Sequence, residues 1–216
     1  MTISPREQRH RERMLKVQRQ RELSAKTKPP SRNVRTINNV DPYAVLAGIC
    51  KSHGMLSLIE ANTLIETART LPFGALAVVI GAACGTATIA LLMARPDIEV
   101  VSIDLVDAIT ERFHARELGF SARLTQIQDN SYTIEWDGPQ VDLLFVDGCH
   151  TYDCVKKDIA AWLPRMKPDG VVCFHDYGTD DSMWLYVKRA VDEDMAGQEQ
   201  IYQVGCSIAF SLGAKQ

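Results

Sequence analysis

"VDLLFVDGCHTYDCVKKDIAAWLPRMKPDGVVCFHDYG" runs from Val141 to Gly178. It reads as an apolar strand that stops on Asp147, an amphipathic helix over 151–166, and a second apolar strand over 170–176 that stops on His175 and Asp176. A strand with no polar alternation has no face to offer water. Strand–helix–strand units of this kind therefore build a parallel sheet covered by helices on both sides.

The same alternation extends both ways along the chain. Upstream lie strands over 75–81, 99–105 and 123–128, separated by helices over 86–94 and 107–119. Downstream, a helix over 181–195 leads into two short runs, 201–205 and 207–213, that read as a terminal antiparallel pair. Two helices precede the first strand. The second opens with a capping box, Ser57 and Glu60, and its spacing puts Leu58, Ile59, Leu64, Ile65 and Ala68 on one face.

The 216 residues suit one α/β domain with an appendage. Residues 41–216 are the expected domain. Residues 1–40 hold 11 Lys/Arg against 3 Glu, a net charge of +8 on a chain whose total is −3. Ser4, Pro5 and Glu7 give that segment a helix start, and Pro29-Pro30 ends it. It reads as a marginal helix plus a linker: either a solvated arm, or a grip for nucleic acid or an acidic partner through residues 1–35. The six cysteines include no C-x-x-C pair and read as free thiols. No apolar run approaches the ~18 residues of a membrane span, and the charged N-terminus lacks a secretory core. A cytoplasmic protein is the expectation.

In such a sheet, ligands sit beyond the carboxyl ends of the strands, where strand order reverses. The first strand ends in "GAACGTAT". Gly81 and Gly85 let the backbone turn sharply, and Thr86 opens a helix whose amides suit an anion. The spacing is not the dinucleotide G-x-G-x-x-G, and a tight turn with no ligand would look the same. The second strand ends in Asp104, placed to accept ribose hydroxyls. After the third come Asp129, Asn130 and Ser131, suited to an adenine edge or to an Asx turn. Asp147, His175 and Asp176 end the fourth and fifth strands. If those strands are neighbours, ~4.8 Å apart, the three converge with the donor chemistry of a divalent-cation site; capping is the alternative. His150 stands on the same rim, as a candidate base or an ordinary residue near a helix start.

Together these residues resemble the class I S-adenosylmethionine (AdoMet) dependent methyltransferases. The 141–178 block is similar to the metal-dependent small-molecule O-methyltransferases of cephalosporin and macrolide-sugar type. "GAACG" is similar to the AdoMet loop of catechol O-methyltransferase. The resemblance covers roughly residues 55–212. It implies a Rossmann-like fold, with a seven-stranded, mostly parallel sheet and a C-terminal antiparallel hairpin. It assigns Gly81, Ala82, Gly85 and Thr86 to the methionine part of AdoMet, Asp104 and Leu105 to the ribose, and Asp129, Asn130 and Ser131 to the adenine. It makes Asp147, His175 and Asp176 metal ligands, for magnesium or manganese, and His150 with Asp147 the catalytic pair. The acceptor would be a hydroxyl of a small molecule or sugar, and a homo-oligomer is left open.

Two positions depart from the family pattern: Val79 stands where many relatives carry an acid, and His175 replaces a common oxygen ligand. Three other readings compete. A nucleic-acid methyltransferase would use the basic arm, but "VDGC" is not the D-P-P-Y-like element of base-amino methylation. A nicotinamide dehydrogenase would need the other glycine spacing. A non-catalytic AdoMet-binding or assembly protein would account for Val79.

Overall fold

A computed structural model of the chain describes residues 41–53, 55–178 and 184–213. The basic segment read from residues 1–40 lies outside them. Helices α1 (Pro42–His53) and α2 (Leu58–Arg69) precede β1 (Leu76–Ile80). Then follow α3 (Thr86–Ala94), β2 (Glu99–Asp104), α4 (Ile109–Glu117), β3 (Leu124–Gln128), β4 (Val141–Val146), α5 (Tyr152–Trp162), β5 (Met166–Phe174), α6 (Trp184–Asp194), β6 (Glu199–Val204) and β7 (Ser207–Ser211).

The seven strands form one sheet in the order β3-β2-β1-β4-β5-β7-β6. The first five are parallel, and β7 runs antiparallel to both β5 and β6. Order reverses between β1 and β4, which opens a crevice beyond their carboxyl ends. Both central strands are buried along their whole length. One face carries α1, α2 and α3, with Ala115 and Leu118 beside them; the other carries α5 and α6 around Trp162. Trp162 is fully buried, and truncating it to Ala would cost about 3–5 kcal/mol.

Three local readings change. Helix α5 ends at Trp162 rather than 166, because Pro164 cannot continue it and Leu163–Arg165 tighten into a 3-10 turn. Strand β5 begins at Met166, which pairs with Val141 before an irregularity in the register. On α2 the buried stripe is rotated: Ile59 is 64 % exposed, and Glu60, at 4 %, points inward.

Candidate active site

Sheet register builds the site. Ile103, Ile80, Val146, Phe174 and Ile208 form one row across five strands. One residue further on stand Asp104, Gly81, Asp147 and His175, with Ser207 on the antiparallel strand. The ladder carries on through them: Gly81 donates to Ile103 O, Asp147 to Ile80 O and His175 to Val146 O, at 2.9, 2.9 and 3.1 Å. Residues as far apart in sequence as Gly81 and Ser207 thus share one rim.

The β1 side of the rim is shaped by backbone. Gly81 has φ +84°, and a Cβ there would lie 2.0 Å from Asp147 O. Only glycine lets β1 and β4 close in this way. Gly85, at φ +87°, is the N-cap of α3 and gives no side-chain cap. The first amides of α3 are therefore without a cap from that residue, and Thr86 Oγ1 is buried without a partner. That set fits an anionic group on a bound ligand. Asp104 orders the turn, accepting from Ala83 N at 3.1 Å and Val106 N at 3.0 Å. Asn130 closes an Asx turn onto Tyr132 N, and Asp129 Oδ1 accepts from the next amide, Asn130 N. Ser131 is tied to α5 twice: its hydroxyl donates to Asp158, and its carbonyl accepts from Trp162 Nε1 at 2.9 Å. Burial pushes Asp158 up to about 6, against the opposing bond from Ser131.

The β4 and β5 side is built from charge. His175 Nδ1 lies 3.2 Å from Asp147 Oδ1 and 3.4 Å from Asp176 Oδ1. His150 Nε2 lies 2.9 Å from Asp176 Oδ2 and 3.5 Å from Asp147 Oδ1, in ionic contact rather than an aligned hydrogen bond. Asp176 adopts φ +58°, a conformation costly for a residue with a side chain and typical of functional sites. Burial works to raise Asp176, but contacts with His150 and His175 outweigh it and hold the carboxyl well below its usual range. Asp147 and Asp176 lift His150 from 6.5 to about 9. Burial opposes protonation of His175, and the acids around it outweigh burial and raise it. A proton on Nδ1 lets His175 donate to these carboxylates, and without it the Nδ1 lone pair and the carboxylates together face the position a metal ion would take. One nitrogen and two oxygens, all within 4.8 Å of one another, offer a donor set that could take a divalent cation.

A cavity of about 590 Å³ joins the two halves. Gly81, Asp104, Leu105, Asp129, Asn130 and Ser131 line it, as do Asp147, His150, His175 and Asp176. Ala82 lines a smaller neighbouring pocket of about 210 Å³. Gly85 and Thr86 line neither of these two and instead shape the turn beneath. Met55 and Trp184 also line the cavity, with Trp184 edge-on to His150 at a centroid distance of 4.5 Å.

Sequence reasoning missed four residues. Glu60 was read as a capping residue, yet its carboxylate reaches the Cys206 amide at 2.9 Å, 146 positions away. Its place four residues before Leu64 on the buried stripe was the available signal. Asp158 likewise interrupts the stripe of Val155, Ile159 and Trp162. Glu111, fully buried, binds Thr88, Ser102 and Gln126 and packs beneath Gly85. Cys206 lies 3.2 Å from His175 Nε2, with no local pattern to announce it.

Comparison with known proteins bears on the fold and the domain. Residues 78–177 match the protein family described as "Methyltransferase domain". The fold is similar to the O-methyltransferase TomG of Streptomyces achromogenes, solved with SAM: TM-score 0.62, 21 % identity, 82 % of this chain and 92 % of that one. It is also similar to a putative caffeoyl-CoA O-methyltransferase of Staphylococcus aureus, with TM-score 0.65, 14 % identity and coverages of 80 and 92 %. An O-methyltransferase of Bacillus cereus in complex with SAH gives TM-score 0.60 at 14 % identity, over 81 and 93 % of the chains. At such identities the likeness establishes the fold. The uncharacterized protein y4gI of Sinorhizobium fredii is 44 % identical over 57 residues, 26 % of this chain and 5 % of that relative's length. The fold is that of the class I AdoMet-dependent methyltransferases, and residues 78–177 match a methyltransferase domain. Among the described residues no helix is long and apolar enough to cross a membrane.

Proposed function

We propose that the protein moves a methyl group from AdoMet to a hydroxyl oxygen of a small molecule, with a divalent cation at Asp147, His175 and Asp176. The observation that carries this reading is the meeting of the glycine turn and the Asp147–His175–Asp176–His150 cluster in one cavity.

AdoMet supplies an electrophilic methyl and leaves as S-adenosylhomocysteine, while a cation lowers the pKa of an acceptor hydroxyl. The chain supplies alignment. Gly81 lets a ligand approach the seam between β1 and β4, and the turn through Ala82 and Ala83 borders its methionine part. Asp104 accepts from the ribose, and Asp129 to Ser131 border the adenine. Asp147, His175 and Asp176 would hold the cation beside which the acceptor oxygen lines up with the methyl, and alignment carries much of the rate. His150 takes the hydroxyl proton at Nε2. Its raised pKa follows from the two bare carboxylates beside it; neutralising their charge frees it to accept a proton. Met55 and Trp184 offer the acceptor an apolar body contact, which favours a small organic alcohol or phenol over a highly charged polymer.

The test is transfer of isotopically labelled methyl from AdoMet to a panel of sugars, polyketides and phenols, using protein stripped with EDTA and protein resupplied with Mg²⁺ or Mn²⁺. Methyl ether formed only with metal supports the reading. Equal turnover in EDTA removes the cation from it. Label appearing in nucleic acid instead of the panel replaces the acceptor class.

A further inference from the structure

Glu60 joins three parts of the molecule. Its Oε2 accepts from Ser57 N at 2.8 Å and Ser57 Oγ at 2.6 Å, which closes the capping box of α2. A capping glutamate needs nothing more and usually stands in water. This one is buried, and Oε1 turns into the protein. There it accepts from Cys206 N at 2.9 Å, Cys206 Sγ at 3.1 Å and Ser207 Oγ at 3.3 Å. The β6–β7 turn is shaped around it: Gly205 sits at φ +58°, and a Cβ there would lie 2.6 Å from Oε1.

Beyond that carboxylate stands His175. Its Nε2 is 3.2 Å from Cys206 Sγ and 3.7 Å from Glu60 Oε1. An imidazole ring has two nitrogen edges, and fixing one fixes the other. With Nε2 engaged by the thiol and the carboxylate behind it, Nδ1 must face Asp147 and Asp176. Histidines that ligate metals almost always give their second nitrogen such an outer partner.

We propose that Glu60, acting through Cys206, is a positioning residue of the active site: it holds the His175 ring so that Nδ1 completes the Asp147–Asp176 cation site. This rests on the cation reading above. It also accounts for the rotation of α2, since the helix buries an acid and exposes Ile59 to reach His175.

The experiment is a Mn²⁺ titration of the full chain, reading free Mn²⁺ by electron paramagnetic resonance, with AdoMet affinity measured in parallel. Glutamine also serves at this position of a capping box, so Glu60→Gln perturbs the inner contacts more than the helix start. It is expected to weaken Mn²⁺ binding roughly 10- to 100-fold. AdoMet affinity should stay within about twofold, as for a separate subsite. Ser57→Ala should lower the melting temperature and leave Mn²⁺ affinity unchanged. Wild-type Mn²⁺ affinity in Glu60→Gln, or an equal loss in Ser57→Ala, overturns the proposal. If Glu60→Gln does not fold, Cys206→Ala takes its place: Mn²⁺ affinity should fall and Cys206→Ser should restore it, and no fall overturns the proposal. Asp147→Asn separates the two levels. If it binds Mn²⁺ like the wild type, the cation reading fails and this inference with it. If Mn²⁺ binding depends on Asp147 and not on Glu60, only the inference fails.

Discussion

The two halves of the rim are made by different means. On the β1–β3 side, glycine conformation, uncapped amides and an Asx turn set the shape, and the contacts are mostly main chain. On the β4–β5 side, two carboxylates and two imidazoles set the charge, and the contacts are side chain to side chain. A part common to every turnover, such as the adenosyl group, can be gripped by a fixed backbone. The place where charge changes during reaction needs groups that hold or release a proton. Damage to the two halves should therefore separate into lost affinity and lost rate.

Gly81→Ala should do the most harm, because it strikes the seam where the halves touch. Overlap with Asp147 O and positive-φ strain together cost about 3–6 kcal/mol. AdoMet affinity should fall roughly 100-fold or more, or the protein should unfold, as calorimetry and thermal melts will tell. Near-normal affinity would refute the backbone half of the comparison. Asp147→Ala comes next. Removing one ligand of a cation that stabilises developing charge is expected to lower kcat roughly 100-fold in steady-state assays while AdoMet binding is kept. A loss confined to AdoMet binding would reverse the roles of the halves.

Smaller effects sharpen the electrostatics. The folded pKa of His150, about 9, lies above its ordinary 6.5. In metal-free protein its contribution is thus complete below pH 6.5 and is lost as pH rises through 9. His150→Ala should cost about 1 kcal/mol in urea unfolding at acidic pH, after allowance for screening, and almost nothing at alkaline pH. Asp158 has the same sign in a lower window: its pKa is raised from 3.8 to about 6, so stability is lost as pH rises through that range. Asp158→Asn should gain up to about 1 kcal/mol at neutral pH and flatten the profile between those values. A loss of stability there would mean that the carboxylate, not its shape, anchors Ser131.

The difference between the halves also explains what the amino-acid sequence discloses. Period and punctuation are local, so the strands, the glycine turn and the residues that end each strand can be read directly: Asp104, Asp147 and His175 lie where the apolar runs stop. Sheet order then brings them to one edge without further information. Glu60 and Cys206 escape because their partner contacts span 146 positions and the helix carrying Glu60 looks complete with Leu58 and Ile59 inside. Burial of Glu60 follows from the β6–β7 turn, which no pattern in α2 encodes. Asp158 escapes for a similar reason, since its partner Ser131 lies on a separate loop. The starts and ends of α5 and β5 shift because proline and strand pairing, rather than hydrophobic period, decide them.

The most direct test is calorimetry of AdoMet and of Mn²⁺ on wild-type protein and on Asp147→Ala. The two-half account predicts that both proteins bind AdoMet with similar affinity and that only the wild type takes up one Mn²⁺ ion. Mn²⁺ binding that survives Asp147→Ala, or wild-type protein that binds no AdoMet, would contradict it.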